Sequence, residues 1–185
     1  MSTTLRGGGF FATPPVARFL SALALCLAAA AAAPGGAFAR ETVASPPGYR
    51  AGTIVIKQSE RKLYFVKGDG SAIRYPVAIG KAGKAWEGET YIQGKYVRPS
   101  WSAPDDVRAD HPNLTGVIPG GSPRNPMGAR ALTLALPEVA IHGTAQSMRK
   151  SIGAAASYGC IRMLDEDIID LYDRVQVGTP VIAVP

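Results

Sequence analysis

The 185-residue chain predicts a mainly β domain with one or two short helices and a long loop across its site. Three observations carry that expectation. Short apolar runs alternate with polar residues from Thr53 onward, at the period of strands. Proline and glycine crowd the stretch from Pro99 to Arg130, which has little periodicity. One segment, opening at Asp165, repeats its apolar residues at helical spacing.

The elements follow in order. Thr53 to Lys57 alternates around Ile54 and Ile56, and Lys62 to Lys67 follows the polar Gln58-Ser59-Glu60-Arg61 as the return arm of a hairpin. Gly68-Asp69-Gly70 turns the chain, Ala72 to Ile79 is a third strand and Thr90 to Val97 a fourth. Structureless loops as long as Pro99 to Arg130 are uncommon in compact domains and are often functional. This one reads as a wall or lid, with Trp101 as its packing anchor. Strand character resumes at Leu132 to Leu136 and Val139 to His142. Asp165 is placed to cap a helix, and Glu166 and Asp167 suit the positive end of its dipole. Ile168, Leu171, Tyr172 and Val175 supply its apolar face, Gly178 and Pro180 end it, and Val181 to Val184 is a last buried strand.

The first 39 residues read as a cleaved signal peptide. Arg6 and Arg18 are basic with no acid nearby, Phe19 to Ala33 is uncharged and apolar, and Ala37-Phe38-Ala39 is a small-residue cleavage site before Arg40. The apolar run is shorter than the roughly 18 residues that a spanning helix prefers. Lipoprotein processing at Cys26 is disfavoured by Leu25 before it. Residues 40–49, with Pro46-Pro47-Gly48 as a turn, read as a linker, and 50–185 as one folded domain. Export to the periplasm follows from this division.

Cleavage removes two arginines and no acids, so the net charge falls from +6 to +4. No basic run interleaves with aromatics, which argues against nucleic acid. A mild basic excess suits an anionic polymer and is equally ordinary for a small soluble domain.

Processing also leaves Cys160 as the sole cysteine, with no disulfide partner. Free cysteine is often a small buried hydrophobe. It is a nucleophile only as thiolate, and so needs a base or a cation beside it. His142, 18 positions upstream, is the candidate base. Gly159 would allow a tight turn that points amides at a developing oxyanion, and Arg162 could hold a carboxylate. His111, beside Pro112, reads as a solvated loop residue. Two histidines and one cysteine with no close pair give no zinc site, and no metal or cofactor is expected. Ser147-Met148-Arg149-Lys150 fits the S-x-x-K pattern, but its companion S-D-N and K-T-G elements are missing.

His142-Gly143-Thr144 followed by Ser157-Tyr158-Gly159-Cys160-Ile161-Arg162-Met163 resembles the signature of the YkuD-type L,D-transpeptidase catalytic domain, the ErfK/YbiS group. Gly120-Gly121, Asn125 to Leu132, Ser151-Ile152-Gly153 and Gly178-Thr179-Pro180-Val181 extend the resemblance across roughly Tyr49 to Val184. It implies a fold of β-sandwich-like mixed sheets. It implies Cys160 as nucleophile and His142 as base, oriented by the Gly143 carbonyl. Amides of Tyr158, Gly159 and Cys160 would form the oxyanion hole, and Arg162, Ser157 and Thr144 would contact substrate. The implied substrate is a peptidoglycan stem peptide, cut between diaminopimelate and D-alanine. The acyl group would pass to an amine of another stem, to a lipoprotein or other protein, or to water. Acylation of Cys160 by carbapenems is implied as well. Many relatives carry histidine where Tyr158 stands, which leaves His142 as the sole motif histidine.

A monomeric transpeptidase is thus the expectation. A hydrolase acting on the same bond, or a wall-binding domain without catalysis, would use the same fold. Acceptor access and water exclusion separate transferase from hydrolase, and neither is written in sequence.

Overall fold

Strands in this chain form where apolar residues can be covered on one or both faces, and the order of the strands brings two distant segments to one edge of a sheet. The computed structural model describes residues 7–9 and 39–185. The signal-peptide features, including Phe19 to Ala33 and Cys26, lie outside the described residues apart from Ala39.

The strands in chain order are β1 (Glu41–Ala44), β2 (Ile54–Lys57), β3 (Lys62–Val66), β4 (Ser71–Pro76), β5 (Ile79–Gly80) and β6 (Gly88–Val97). The long loop contributes β7 (Trp101–Ser102), helix α1 (Asp105–Asp110) and β8 (Val117–Ile118). After it come β9 (Arg130–Leu134), β10 (Ala140–His142), a 3-10 turn at Gln146–Ser151, β11 (Ala155–Ser157), β12 (Ile161–Arg162), α2 (Asp165–Arg174) and β13 (Pro180–Val184). Nine strands make one mixed sheet in the order β1-β4-β3-β2-β13-β6-β9-β10-β12. Pairing is antiparallel except at β2–β13 and β10–β12. β5 and β11 pair in parallel, and β7 pairs with β8. The mainly β class with short helices therefore holds.

The core explains the pattern. Ile54, Ile56, Leu63, Tyr75, Ile92, Leu132 and Ile141 cluster on one face of the sheet with Ile168 and Leu171 of α2 and Val175 just after it. Val55, Tyr64, Val66 and Ala72 form a second cluster, covered by Val43 and Tyr49. That second cluster corrects the linker expectation. Glu41–Ala44 pairs along β4, and residues 40–49 roof the far face of the sheet. Lys95 of β6 ends α2 by donating to the carbonyls of Tyr172 and Val175, at 2.7 and 2.6 Å, where the helix dipole favours a cation.

The long loop is built rather than structureless. Its pin is Asn125, buried, whose Nδ2 donates to the carbonyls of Pro99, Ile118 and Pro119 at 2.9, 3.2 and 3.1 Å. Its Oδ1 accepts from the Met127 amide at 2.9 Å. One amide side chain thus closes the loop on itself, its two N–H protons shared among three carbonyls.

Candidate active site

The site forms where β10 and β12 run side by side. Ile141 pairs with Ile161 and His142 with Arg162, so the residue before β12, Cys160, lies at the mouth of the same sheet edge. Cys160, His142 and Arg162 line one cleft of about 160 Å³, with Trp101, Pro104 and Val107 from the long loop on its other wall. A second groove reaches Cys160 from another side, lined by Gln93, Tyr96 and Thr133, and shares Trp101, Met127 and Glu138 with the first.

His142 is buried, and its Nδ1 lies 2.6 Å from the Gly143 carbonyl oxygen. A carbonyl only accepts, so Nδ1 carries the proton and the neutral ring keeps its lone pair on Nε2. Burial, helped by the Arg162 charge, pulls the ring down to about 4, and the carbonyls of Gly143 and Pro126 oppose the shift. Cys160 is half-buried, and its Sγ sits 3.6 Å from the Glu138 carbonyl. Burial pushes the thiol above its usual range, against the Ala140 amide and Arg162, which favour the thiolate. The resting pair is therefore a neutral thiol and a neutral imidazole. Burial also lowers Arg162, whose guanidinium makes no ion pair among the described residues.

The loop before Cys160 is braced from inside. Ser157 Oγ donates to the Cys160 carbonyl at 2.5 Å and accepts from the Gly159 amide at 3.2 Å. Trp86 Nε1 donates to the Gly159 carbonyl at 3.1 Å. That carbonyl shares a trans peptide with the Cys160 amide, so fixing one sends the other to the opposite side. Gly159 sits at φ 121°, a conformation that favours glycine.

These contacts correct three sequence expectations. The Gly159 amide is committed to Ser157, which leaves the Tyr158 and Cys160 amides as the oxyanion donors on offer. Ser157, expected against substrate, does line the cleft, but it is buried and spends its hydroxyl on the loop. Thr144 is buried and away from the cleft, because its amide is held by Asp165 Oδ1 at 3.1 Å. Ser147 of the S-x-x-K pattern is exposed on the 3-10 turn and does not line the cleft.

Sequence reasoning missed the latch around Tyr158. Its hydroxyl donates to Asp110 Oδ2 at 2.5 Å, and Lys81 Nζ lies 3.8 Å from its ring centroid and 3.0 Å from the same carboxylate. His111, read as a solvated loop residue, is exposed and stands edge-on to Tyr158 with ring centroids 6.4 Å apart. Lys84 pairs with Asp106. Lysines on one side and aspartates on the other were the available signal, but nothing local says which would meet.

The family model of the YkuD L,D-transpeptidase catalytic domain matches residues 51–182. The chain belongs to this family. The curated "Probable L,D-transpeptidase YbiS" of Escherichia coli K12 is 37% identical over 137 residues, which cover 69% of this chain and 43% of that protein. "Probable L,D-transpeptidase ErfK/SrfK" of the same strain is 34% identical over 137 residues, 69% of this chain and 42% of that protein. The chain thus spans less than half the length of these relatives. Among solved structures, an L,D-transpeptidase from Mycobacterium smegmatis shares the YkuD fold at TM-score 0.57, with 19% identity over 78% of this chain and 67% of that one. A Brucella melitensis structure named "Probable carnitine operon oxidoreductase" aligns at TM-score 0.53 and 38% identity over 80% of this chain and 94% of that one. Its name differs from the rest, and YkuD membership rests on the domain match and the curated relatives.

Proposed function

We propose that this YkuD domain is a cysteine-dependent L,D-transpeptidase acting on peptidoglycan stem peptides. The observation that carries the reading is His142, buried with Nδ1 tied to a carbonyl, sharing a cleft with the half-buried Cys160 thiol. As substrate enters, the thiol proton passes to His142 Nε2 and Sγ bonds the carbonyl carbon of the diaminopimelate residue. The developing oxyanion meets the Tyr158 and Cys160 amides, and Arg162 holds a carboxylate of the stem. His142 returns the proton to the amine of D-alanine as the C–N bond breaks, leaving a thioester on Cys160. An acceptor amine then attacks that thioester, gives its proton to His142, and frees the thiol when the proton returns.

Two grooves meeting at Cys160 suit a donor on one side and an acceptor amine on the other. The acceptor is another stem or a protein such as an outer-membrane lipoprotein. Residues 1–39 direct export to the periplasm, where the domain acts as a monomer. No helix among the described residues is long and apolar enough to cross a membrane. The test is mass spectrometry of a tetrapeptide stem and an acceptor incubated with the protein. Released D-alanine with a cross-linked product is expected. D-alanine release with only free tripeptide would make it a hydrolase, and no release would remove the assignment.

A further inference from the structure

The sequence places Asp165 as the cap of α2, but the structure uses it otherwise. Leu164 occupies the cap position with no side-chain cap bond. Asp165 instead turns one oxygen, Oδ1, onto the amides of Ala129 at 2.9 Å and Thr144 at 3.1 Å. Two glycines make room for it. A Cβ at Gly128 or at Gly143 would collide with that same oxygen. Two segments, Gly128–Ala129 and Gly143–Thr144, therefore close around one carboxylate from a third.

The Thr144 amide is one half of a planar peptide whose other half is the Gly143 carbonyl. No cis peptide is present among the described residues, so the N–H and C=O of that unit point in opposite directions. Drawing the N–H onto Asp165 sends the carbonyl the other way, where it meets His142 Nδ1. Donation to an anion also polarises the peptide and makes its oxygen a stronger acceptor. The far end of the turn is held as well, since the Gly143 amide donates to the Arg130 carbonyl at 3.0 Å.

We propose that Asp165 is a positioning residue that sets the tautomer and orientation of His142 through the Gly143–Thr144 peptide. In serine-protease triads a carboxylate accepts directly from the histidine Nδ1–H. Here one peptide unit stands between them. The arrangement spares the buried imidazole a charge in direct contact and still fixes the nitrogen on which the lone pair lies. This rests on His142 being the base, so the test needs a readout that does not depend on turnover.

Nitrogen-15 NMR of the histidine ring supplies it, read on the full chain carrying Asp165→Ala and Asp165→Asn. The unaltered protein should hold His142 in the Nδ1–H tautomer. Asp165→Ala should populate both tautomers and slow acylation of Cys160 by imipenem about 10–100-fold, the loss seen when a partner that orients a metal-binding histidine is removed. Asp165→Asn keeps an oxygen that accepts both amides, so it should restore the tautomer and most of the rate. Without the charge, its Nδ1 proton resonance should move upfield. If Asp165→Ala fails to fold, the Asn variant decides alone: an unshifted Nδ1 proton overturns the proposal. Retention of the Nδ1–H tautomer in folded Asp165→Ala overturns it too. Altered tautomers in a protein that no β-lactam or stem peptide acylates would sustain the relay and sink the transpeptidase reading instead.

Discussion

The Tyr158 hydroxyl donates to Asp110 Oδ2 at 2.5 Å, joining the residue two before Cys160 to the last residue of the loop helix. This helix buries no residue of its own, so packing does little to hold it down. Its attachments are polar: Tyr158 and Lys81 on Asp110, and Lys84 on Asp106. Val107 and Asp106 of the same helix line the cleft. Tyr158→Phe should therefore loosen one wall of the site while Cys160 stays where it is. Amide hydrogen exchange across residues 105–111 should quicken severalfold, with the core strands unchanged. Equal exchange in the two proteins would show that the latch holds nothing.

How much of this could be read from sequence follows from the range of each contact. The strands around Ile54, Leu63 and Val181 and the helix through Ile168 and Leu171 were legible because local periodicity and burial agree there. The Glu41–Ala44 strand was not, because its exposed edge carries a polar pattern and its one packed residue is Val43. Helix α1 left no trace for the same reason, having no apolar face to repeat. Cys160, His142 and Gly143 were legible through a motif. Trp86 and Asp165 were not, since each acts on a partner outside its own element, 73 positions away for Trp86 on Gly159. Asp165 even carried a misleading local signal, a carboxylate at a helix start that serves a different turn.

Replacing the proposed nucleophile separates chemistry from packing. Cys160→Ser changes one atom in a half-buried site, so circular dichroism and melting should barely move. A hydroxyl is far harder to deprotonate than a thiol, and D-alanine release should nearly vanish. Intact-mass analysis after imipenem should show an adduct on the native chain alone. Full release by the folded serine variant would end the cysteine mechanism.

The proposed base should behave as one unit with the proposed nucleophile. His142→Ala should lower the rate about 10²–10⁴-fold, the usual worth of a placed general base. The double variant with Cys160→Ser should be hardly slower than the worse single one. His111→Ala should cost little, because its ring touches Tyr158 and not the cleft. Because burial holds His142 neutral down to about pH 4, the acid limb of the rate profile should lie well below the ordinary histidine range. An acid limb near the unperturbed 6.5 would show that the ring is solvated in the working enzyme.

Acid stability should be governed by two buried groups of opposite sign. His142 binds its proton at about 4 folded against 6.5 ordinarily, so from pH 6.5 downward the unfolded chain gains protons that the folded one refuses. The stability it confers is whole above pH 6.5 and is lost as pH falls through 4. Asp167, buried beside Arg40, is raised by desolvation from 3.8 to about 6, against the pull of that arginine. Its folded form therefore holds a proton that the unfolded chain has released. The stability it confers is whole below pH 3.8 and is lost as pH rises through 6. Each group is worth roughly 3 kcal/mol at 1.36 kcal/mol per pH unit, so between pH 4 and 6 the two nearly cancel. Glu166, held by Arg149 at about 2 against an ordinary 4.5, adds its own loss only from the acid end of that window downward. The native protein should thus melt at nearly constant temperature from pH 6 to pH 4. Asp167→Asn removes the term that grows on acidification, and its melting temperature should fall over that range. His142→Gln removes the opposing term, and its melting temperature should rise. Differential scanning calorimetry of the three proteins at pH 4, 5 and 6 decides the matter, and shifts of the same sign in both variants would refute the assignment of these two groups.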